Sequence, residues 1–104
     1  MDENVLSDAA IIEGLFLRDE TALQELSRKY ARLYVSMLRE LLNDEEDVKE
    51  CSNDVLLAVW NSIPPQRPRI FSAFLAKITR NLALKKQRAK SAQKRGGEAE
   101  LTLL

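Results

Sequence analysis

Apolar residues recur every three or four positions along most of the chain, which is the spacing of one buried side of an α-helix. The first such pattern follows Ser7, a residue that commonly caps helix starts, with Asp8 in the first turn. The second follows Asp19, another common capping residue, and predicts a long helix of roughly 20–24 residues. The first 41 residues therefore predict one short and one long helix.

The second half of the chain predicts two more helices. Asn43 or Asp44 is predicted to cap a third helix that ends near Ser62. Its successor "IPPQRPR", residues 63–69, cannot continue a helix, because proline lacks the backbone N–H donor. A fourth helix is predicted from about Phe71 to the glycine pair at 96–97. Strand signals are absent, so the predicted fold is all-α: a compact bundle of about four helices with a proline-rich loop before the last.

The third helix has an apolar side and an acidic side when its residues are placed at about 100° intervals. The side predicted to face the core holds Val48, Cys51, Ser52, Val55, Leu56, Val59 and Ile63. The opposite side holds Asp47, Glu50, Asp54, Leu57 and Asn61, with Asn53 and Trp60 at its margin. Acids around an outward leucine favour a protein interface, although single exposed leucines are common and Trp60 is equally compatible with the core.

The fourth helix combines an apolar side with a cationic one. Phe71, Leu75, Ile78 and Leu82 are predicted to face the core. The exposed side is predicted to hold Lys77, Asn81 and Arg88, flanked by Arg80 and Lys85. Asparagine is unfavourable inside a helix, so its amide is predicted either to read a base edge or to bind a polar group within the protein.

Charge divides the chain although its formal net charge is zero. Residues 1–63 hold 14 acidic and 6 basic side chains, whereas residues 64–97 hold 10 basic side chains and no acid. A basic segment of this kind is typical of phosphate-binding surfaces, and a solvated helix face is the simpler alternative. The division favours two surfaces with different partners.

Composition excludes most catalytic and metal-binding classes. The chain has no histidine, one cysteine and three glycines, too few for a histidine-based triad, a zinc site or a glycine-rich phosphate loop. We therefore expect no catalytic residue, no metal and no cofactor, and we expect that the protein is not an enzyme. The single Cys51, the acidic N-terminus and the lack of a membrane-length apolar run predict a cytoplasmic protein.

The segment "NDEEDVKECSNDVLLAVWNSIPPQRPRIFSAFLAKITRNLALKKQRAKSAQKRGG" strongly resembles region 2 of bacterial sigma-70-family factors, in particular those of the extracytoplasmic-function (ECF) type. The likeness covers about residues 15–97. Positions of the first family motif are occupied by Asp47, Glu50, Asn53, Asp54, Leu56 and Trp60. Positions of the second are occupied by Phe74, Leu75, Ile78 and Asn81. Two ordered motifs at the right separation make the resemblance specific.

The resemblance implies two binding surfaces. Residues 47–61 would dock on the clamp helices of the largest β-type subunit of core RNA polymerase. With Leu57 added from the outward side of the helix, the predicted polymerase-binding residues are Asp47, Glu50, Asn53, Asp54, Leu57 and Trp60. Residues 64–90 would capture an unstacked base from the non-template strand of the minus-ten promoter element and help to melt the duplex. The DNA-binding residues implied are Arg67, Arg69, Lys77, Arg80, Asn81, Lys85 and Arg88. Whether an anti-sigma factor is a further partner stays open.

This chain departs from the family pattern at several places. Lys49 replaces a common Glu, Leu56 a common Phe, Phe74 a common Trp, and Lys85 a common Asp. Relatives normally continue into a second helical domain that reads the upstream promoter element. We therefore expect residues 1–97 to form region 2 and residues 98–104 to begin a linker or a truncated tail. A domain cut from a longer factor is favoured over an unusually short factor.

Two other classes compete with this interpretation. A stand-alone helical nucleic-acid-binding regulator would not need the acidic side of the third helix. A helical protein-interaction adaptor would not need the acid-free segment 64–97. A carboxylate enzyme is a more distant alternative.

Overall fold

The computed structural model describes residues 6–103, and the side chains of residues 6–92, as a bundle of four helices. They are α1 (Asp8–Phe16), α2 (Thr21–Leu41), α3 (Glu45–Ser62) and α4 (Phe71–Leu103). Residues 6–103 contain no strand. The predicted all-α fold is therefore confirmed. Over the residues searched, none of the helices is both long and apolar enough to span a bilayer.

Two helix starts follow directly from capping side chains. The hydroxyl of Ser7 accepts a hydrogen bond from the backbone N–H of Ala10 at 3.1 Å. The carboxylate of Asp44 accepts one from the N–H of Glu46 at 2.8 Å. Each bond satisfies a donor that the first helical turn leaves unpaired. The predicted starts of α1 and α3 are confirmed, and Asp44 rather than Asn43 is the cap.

The connection between α1 and α2 is a tight turn in an unusual backbone conformation. Arg18 has φ of 59°, in the left-handed region. Its N–H bonds to the carbonyl of Leu15 at 3.0 Å, and the N–H of Asp19 bonds to the carbonyl of Gly14 at 2.9 Å. This pair of bonds is the Schellman motif, in which glycine usually occupies the position of Arg18. The carboxylate of Asp19 then accepts a hydrogen bond from the N–H of Thr21 at 3.0 Å. The N-cap position of α2 is held by Glu20, without a side-chain bond, and not by Asp19 as predicted.

A continuous apolar core joins the four helices. Its main cluster contains Ile11, Ile12, Leu15, Ala22, Leu26, Tyr34, Val55, Val59, Ile63, Phe71 and Leu75. A second cluster, at the other end of α3, contains Leu38, Leu42, Val48, Cys51 and Ala83. The predicted core side of α3 is confirmed for its five most buried members, and Ser52 and Leu56 are half-buried. Helices α1 and α2 approach so closely that a Cβ atom on Gly14 would lie 2.9 Å from the Cβ of Ala22.

Helix α4 differs from its prediction in two respects. Phe71 and Leu75 are buried as expected, but Ile78 and Leu82 are half-buried. Between Leu75 and residue 92, the fully buried positions are Thr79 and Ala83. Thr79 avoids an unpaired hydroxyl by donating to the carbonyl of Leu75 at 2.7 Å. The line of contact therefore continues along Thr79 and Ala83, small residues that sequence periodicity does not mark as core.

The predicted end of α4 at residues 96–97 is wrong. The helix continues through both glycines to Leu103. Glycine costs a helix only about 1 kcal/mol relative to alanine, and the residues that follow, Glu98, Ala99, Glu100 and Leu101, are all good helix formers. The domain boundary at residue 97 thus falls inside a continuous helix, and the role of residues 98–104 stays a prediction; Leu104 and the side chains beyond residue 92 lie outside the description.

Candidate functional surfaces

The exposed side of α4 carries a row of four cations around one amide, Asn81. We call this set the cationic face: Lys77, Arg80, Asn81, Lys85 and Arg88. All five side chains are exposed, as predicted. Among the described side chains of residues 6–92, none of its four cations is in an ion pair. The buried residues Leu75, Thr79 and Ala83 fix the opposite side of the helix, so the cations project from a rigid support.

The other two described lysines of α4 have a different role. Lys86 and Lys90 continue the line of buried residues and reach the N-terminal half of α3. Lys90 Nζ lies 2.6 Å from a carboxylate oxygen of Asp47 and 3.4 Å from one of Asp44. Lys86 Nζ lies 2.7 Å from Glu50 and 3.9 Å from Asp47. These five residues form the acid–lysine network, which attaches α4 to α3.

Hydrogen bonds shift the pKa values of three members of the network. The bond to Glu50 raises the pKa of Lys86, and the bond to Asp47 raises the pKa of Lys90. The pKa of Asp44 is lowered, first by the N–H of Glu46 and then by Lys90. Raised lysine pKa values stabilise the fold until the pH rises through them. A lowered aspartate pKa stabilises it until the pH falls through that value. The pairs of Lys86 and Lys90 with their acidic partners therefore weaken at high pH, and the pair of Lys90 with Asp44 weakens at low pH.

The network corrects the predicted acidic side of α3. Asp47 is buried, with 8% of its surface exposed, and faces α4 rather than solvent. Glu50 is exposed but already paired with Lys86. The reason is that α4 packs beside α3 on the flank that holds Asp47, so the buried sector of α3 is wider than its apolar stripe. The outer face of α3 is left with Asn53, Asp54, Leu57 and Asn61, of which Asp54 is half-buried.

The sequence places Trp60 either at the margin of this face or in the core, and the structure packs it against the core. Its ring is half-buried against the main core cluster. The guanidinium carbon of Arg18 lies 3.6 Å from the ring centroid. Trp60 thus meets the α1–α2 turn, and one face of its indole is covered by an arginine.

The proline loop, residues 63–70, holds the two remaining predicted DNA-binding residues. Arg67 is not free: its guanidinium lies 3.3 Å from the carboxylate of Glu13 and 4.1 Å from the ring centroid of Phe16. Arg69 is exposed and forms no ion pair with the described side chains. The structure therefore attaches Arg67 to α1 and leaves Arg69 on the surface with the exposed Ile70.

Arg18, Lys86 and Lys90 are not among the site residues predicted from the sequence. Arg18 carries no sequence signal, because nothing in "FLRDE" shows that this arginine takes the left-handed conformation. The lysines did carry one. Lys86 and Lys90 are four residues apart, and Asp44, Asp47 and Glu50 follow one another at intervals of three, so each set lies along one side of its helix. Within the described residues, no cluster of three His, Cys, Asp or Glu side chains could hold a metal ion.

We expect the Lys90→Ala variant to unfold at a lower urea concentration than the wild-type protein near neutral pH, because it leaves buried Asp47 with only the more distant Lys86. The gap between the two midpoints should shrink as the pH falls through the lowered pKa of Asp44 or rises through the raised pKa of Lys90. Lys77→Ala is the matched control, since it makes the same change on the same helix at an unpaired lysine. Equal midpoints for the two variants at neutral pH would contradict a stabilising network.

The arrangement defines a helical domain whose last helix is held by a core and an ion-pair network on one side and exposes unpaired cations on the other. This combination is typical of nucleic-acid-binding modules. The family model for sigma-70 region 2 matches residues 26–93, so the chain belongs to the sigma-70 family through this domain. Neither a curated protein nor a solved structure matches the chain.

The family to which the chain belongs has a known general role. Sigma-70 region 2 is a non-enzymatic domain of transcription initiation factors, which in general bind core RNA polymerase and the minus-ten promoter element. Members of the family in general act in the cytoplasm.

Proposed function

We propose that the chain is region 2 of an ECF-type sigma factor, with α3 docking on the clamp helices of the largest β-type polymerase subunit. The proline loop and the cationic face would then receive the non-template strand of the minus-ten element. An unstacked base would be captured there, and the binding energy would favour strand separation without a cofactor.

The observation that carries this proposal is the division of the cations on α4. The described lysines that point toward α3 are neutralised by acids, whereas the four of the cationic face have no acidic partner among residues 6–92. A helix that needed cations only for solubility or packing would not be expected to keep one exposed side free of acids. A row of unpaired cations around an exposed amide suits a polyanion that also offers base edges.

For the polymerase interface, we propose a narrower set than the family motif implies. Leu57 is 57% exposed and stands between half-buried Asp54 and exposed Asn53 and Asn61. An apolar side chain ringed by polar ones is the usual composition of an interface anchor. We assign Asp47 an indirect role, in orienting α3 against α4, and Glu50 a position at the edge of the interface.

Replacing Leu57 by aspartate is expected to weaken binding to an isolated polymerase clamp fragment by about 1–2 kcal/mol, because the change places a charge where an apolar anchor would be desolvated. Binding can be measured by calorimetry or a pull-down, with helicity checked by circular dichroism. Leu17→Asp is the matched control, since Leu17 is also an exposed leucine, at 81%, but lies outside α3. If both folded variants bind the clamp fragment as the wild type does, the outer face of α3 is not the polymerase interface.

A test of the DNA surface uses core polymerase, the chain and single-stranded oligonucleotides that carry or lack a minus-ten sequence. The proposal requires that the chain increase the affinity of the polymerase for the minus-ten strand. A chain that binds all strands alike in the absence of polymerase would instead be a stand-alone nucleic-acid-binding module. One that binds only protein would be an adaptor.

A further inference from the structure

Two contacts connect the proline loop to the first helix of the chain. Arg18 Nη1 donates a hydrogen bond of 2.7 Å to the carbonyl of Ile63, where the loop begins. Arg67, in the middle of the loop, pairs with Glu13 on α1. Both Glu13 and Arg18 precede residue 26, where the match to the family model begins. A segment outside the matched region therefore holds the loop at two points.

Arg18 occupies a position that is unfavourable for its own backbone. At φ of 59°, every residue with a Cβ atom is disfavoured relative to glycine, and the Schellman turn at this place would form as well with glycine. Observed strain of this kind points to a side chain that is needed where it stands. The guanidinium of Arg18 reaches the carbonyl of Ile63, the first residue of the loop.

The guanidinium of Arg18 makes three contacts at once. It lies over the ring of Trp60, donates to Ile63, and makes a longer bond of 3.4 Å to the carbonyl of Leu15 in its own helix. A planar guanidinium can stack and donate in this manner, which a lysine ammonium cannot. Arg18 thus connects the end of α1, the last turn of α3 and the first residue of the loop.

We propose that Arg18 is a positioning residue for promoter reading: it holds the proline loop in the conformation that receives the minus-ten strand, without itself contacting DNA. Arg67 serves the same attachment from the loop side, through Glu13 and Phe16. A loop that is fixed before binding loses less conformational freedom when the strand binds. The affinity therefore increases for the strand that fits the fixed conformation of the loop. This inference rests on the proposed function for its DNA part, but not for the state of the loop in the free protein.

The test compares the wild-type chain with Arg18→Gly. Glycine accepts the left-handed conformation, so this variant keeps the turn and loses only the side-chain contacts. In the free protein, hydrogen exchange is measured at the N–H of Gln66, which bonds to the carbonyl of Ser62 at 2.9 Å within the loop region. We expect this amide to exchange several-fold faster in Arg18→Gly, with the core amides of α2 unchanged. Unchanged exchange at Gln66 would overturn the proposal.

In complex with core polymerase, the same variant is titrated with minus-ten and scrambled single strands over a range of salt concentrations. We expect the preference for the minus-ten strand to fall by about threefold to tenfold, the effect of one poorly ordered contact region, while the salt dependence stays as in the wild type. A salt slope reduced by roughly 0.7–0.9 would show instead that Arg18 contacts a phosphate, and an unchanged preference would show that it has no role in reading. Either result overturns the proposal.

Two further variants separate the alternatives. Arg18→Lys keeps the charge but not the stacked, hydrogen-bonding plane, so it should lose the preference as Arg18→Gly does; retention of the preference would mean that charge alone matters. Arg28→Ala removes an exposed arginine of α2, which lies 3.8 Å from Glu25, and should change neither measurement. If the wild-type complex shows no minus-ten preference, the proposed function fails, and the exchange of Gln66 still decides whether Arg18 holds the loop.

Discussion

Replacing Leu75 by alanine is expected to lower the free energy of unfolding by about 2–5 kcal/mol, the usual range for a large-to-small change in a close-packed core. Leu75 is fully buried in the main cluster, and its carbonyl accepts the bond from the buried hydroxyl of Thr79. It lies on the side of α4 that is opposite the cationic face. In a domain of this size the loss is a large share of the total stability.

Urea unfolding followed by circular dichroism measures this loss. Ile78→Ala, three residues further along α4, should cost less than Leu75→Ala, because Ile78 is only half-buried. Lys77→Ala is the control on the exposed side and should change stability little. A loss of less than about 0.5 kcal/mol is typical of surface substitutions. Such a result for Leu75→Ala would mean that Leu75 does not lie on the buried side of α4. The assignment of the cationic face to solvent would then fail with it.

The helices and their starts could be predicted because their causes are local. Ser7 and Asp44 cap helices through bonds to residues two or three positions away, and the three prolines interrupt a helix by their own chemistry. The exposed side of α4 was predicted for the same reason: its acid-free row of cations is visible in the spacing alone. These features depend on residues that are neighbours in the chain.

The surroundings of α3 could not be predicted in this way. A helical wheel places Asp47 away from the apolar stripe, but it does not show that α4 packs on that flank with Lys90 in reach. A buried carboxylate is stable only when it is paired, so its burial depends on a residue 43 positions away in the chain. Of the six predicted interface residues, Asp47 and Glu50 pair with α4, and Trp60 packs against the core. The other three, Asn53, Asp54 and Leu57, remain on the outer face of α3.

The end of α4 and the backbone conformation of Arg18 could not be predicted from the sequence either. Glycine at 96–97 and arginine at 18 are each atypical for the conformation they adopt, helical in the first case and left-handed in the second. Propensity gives the commoner outcome, and a small preference of about 1 kcal/mol is readily reversed by neighbouring helix formers or by tertiary contacts. For Arg18, the contacts to Trp60 and Ile63 are what sequence patterns cannot supply.

On the cationic face, affinity for DNA and reading of its sequence are expected to depend on different residues. Lys77, Arg80, Lys85 and Arg88 have no acidic partner among residues 6–92, so each can approach a phosphate without breaking an ion pair. Asn81 is exposed among them, which favours a role toward a ligand over an internal hydrogen bond. Phosphate contacts are blind to sequence, whereas an amide can pair with one base edge.

We therefore expect Lys77→Ala to weaken the binding of minus-ten and scrambled strands equally. The slope of log affinity against log salt concentration should fall by roughly 0.7–0.9 if one phosphate contact is lost. Asn81→Ala should leave the salt slope unchanged and reduce the preference for the minus-ten strand, by about 1–3 kcal/mol if the amide makes a bidentate contact to a base. Both variants are measured with core polymerase present and at low salt, because an isolated region of this size is expected to bind DNA weakly. Should Asn81→Ala weaken both strands equally while remaining folded, the amide does not read a base, and sequence reading belongs to the proline loop that Arg18 holds.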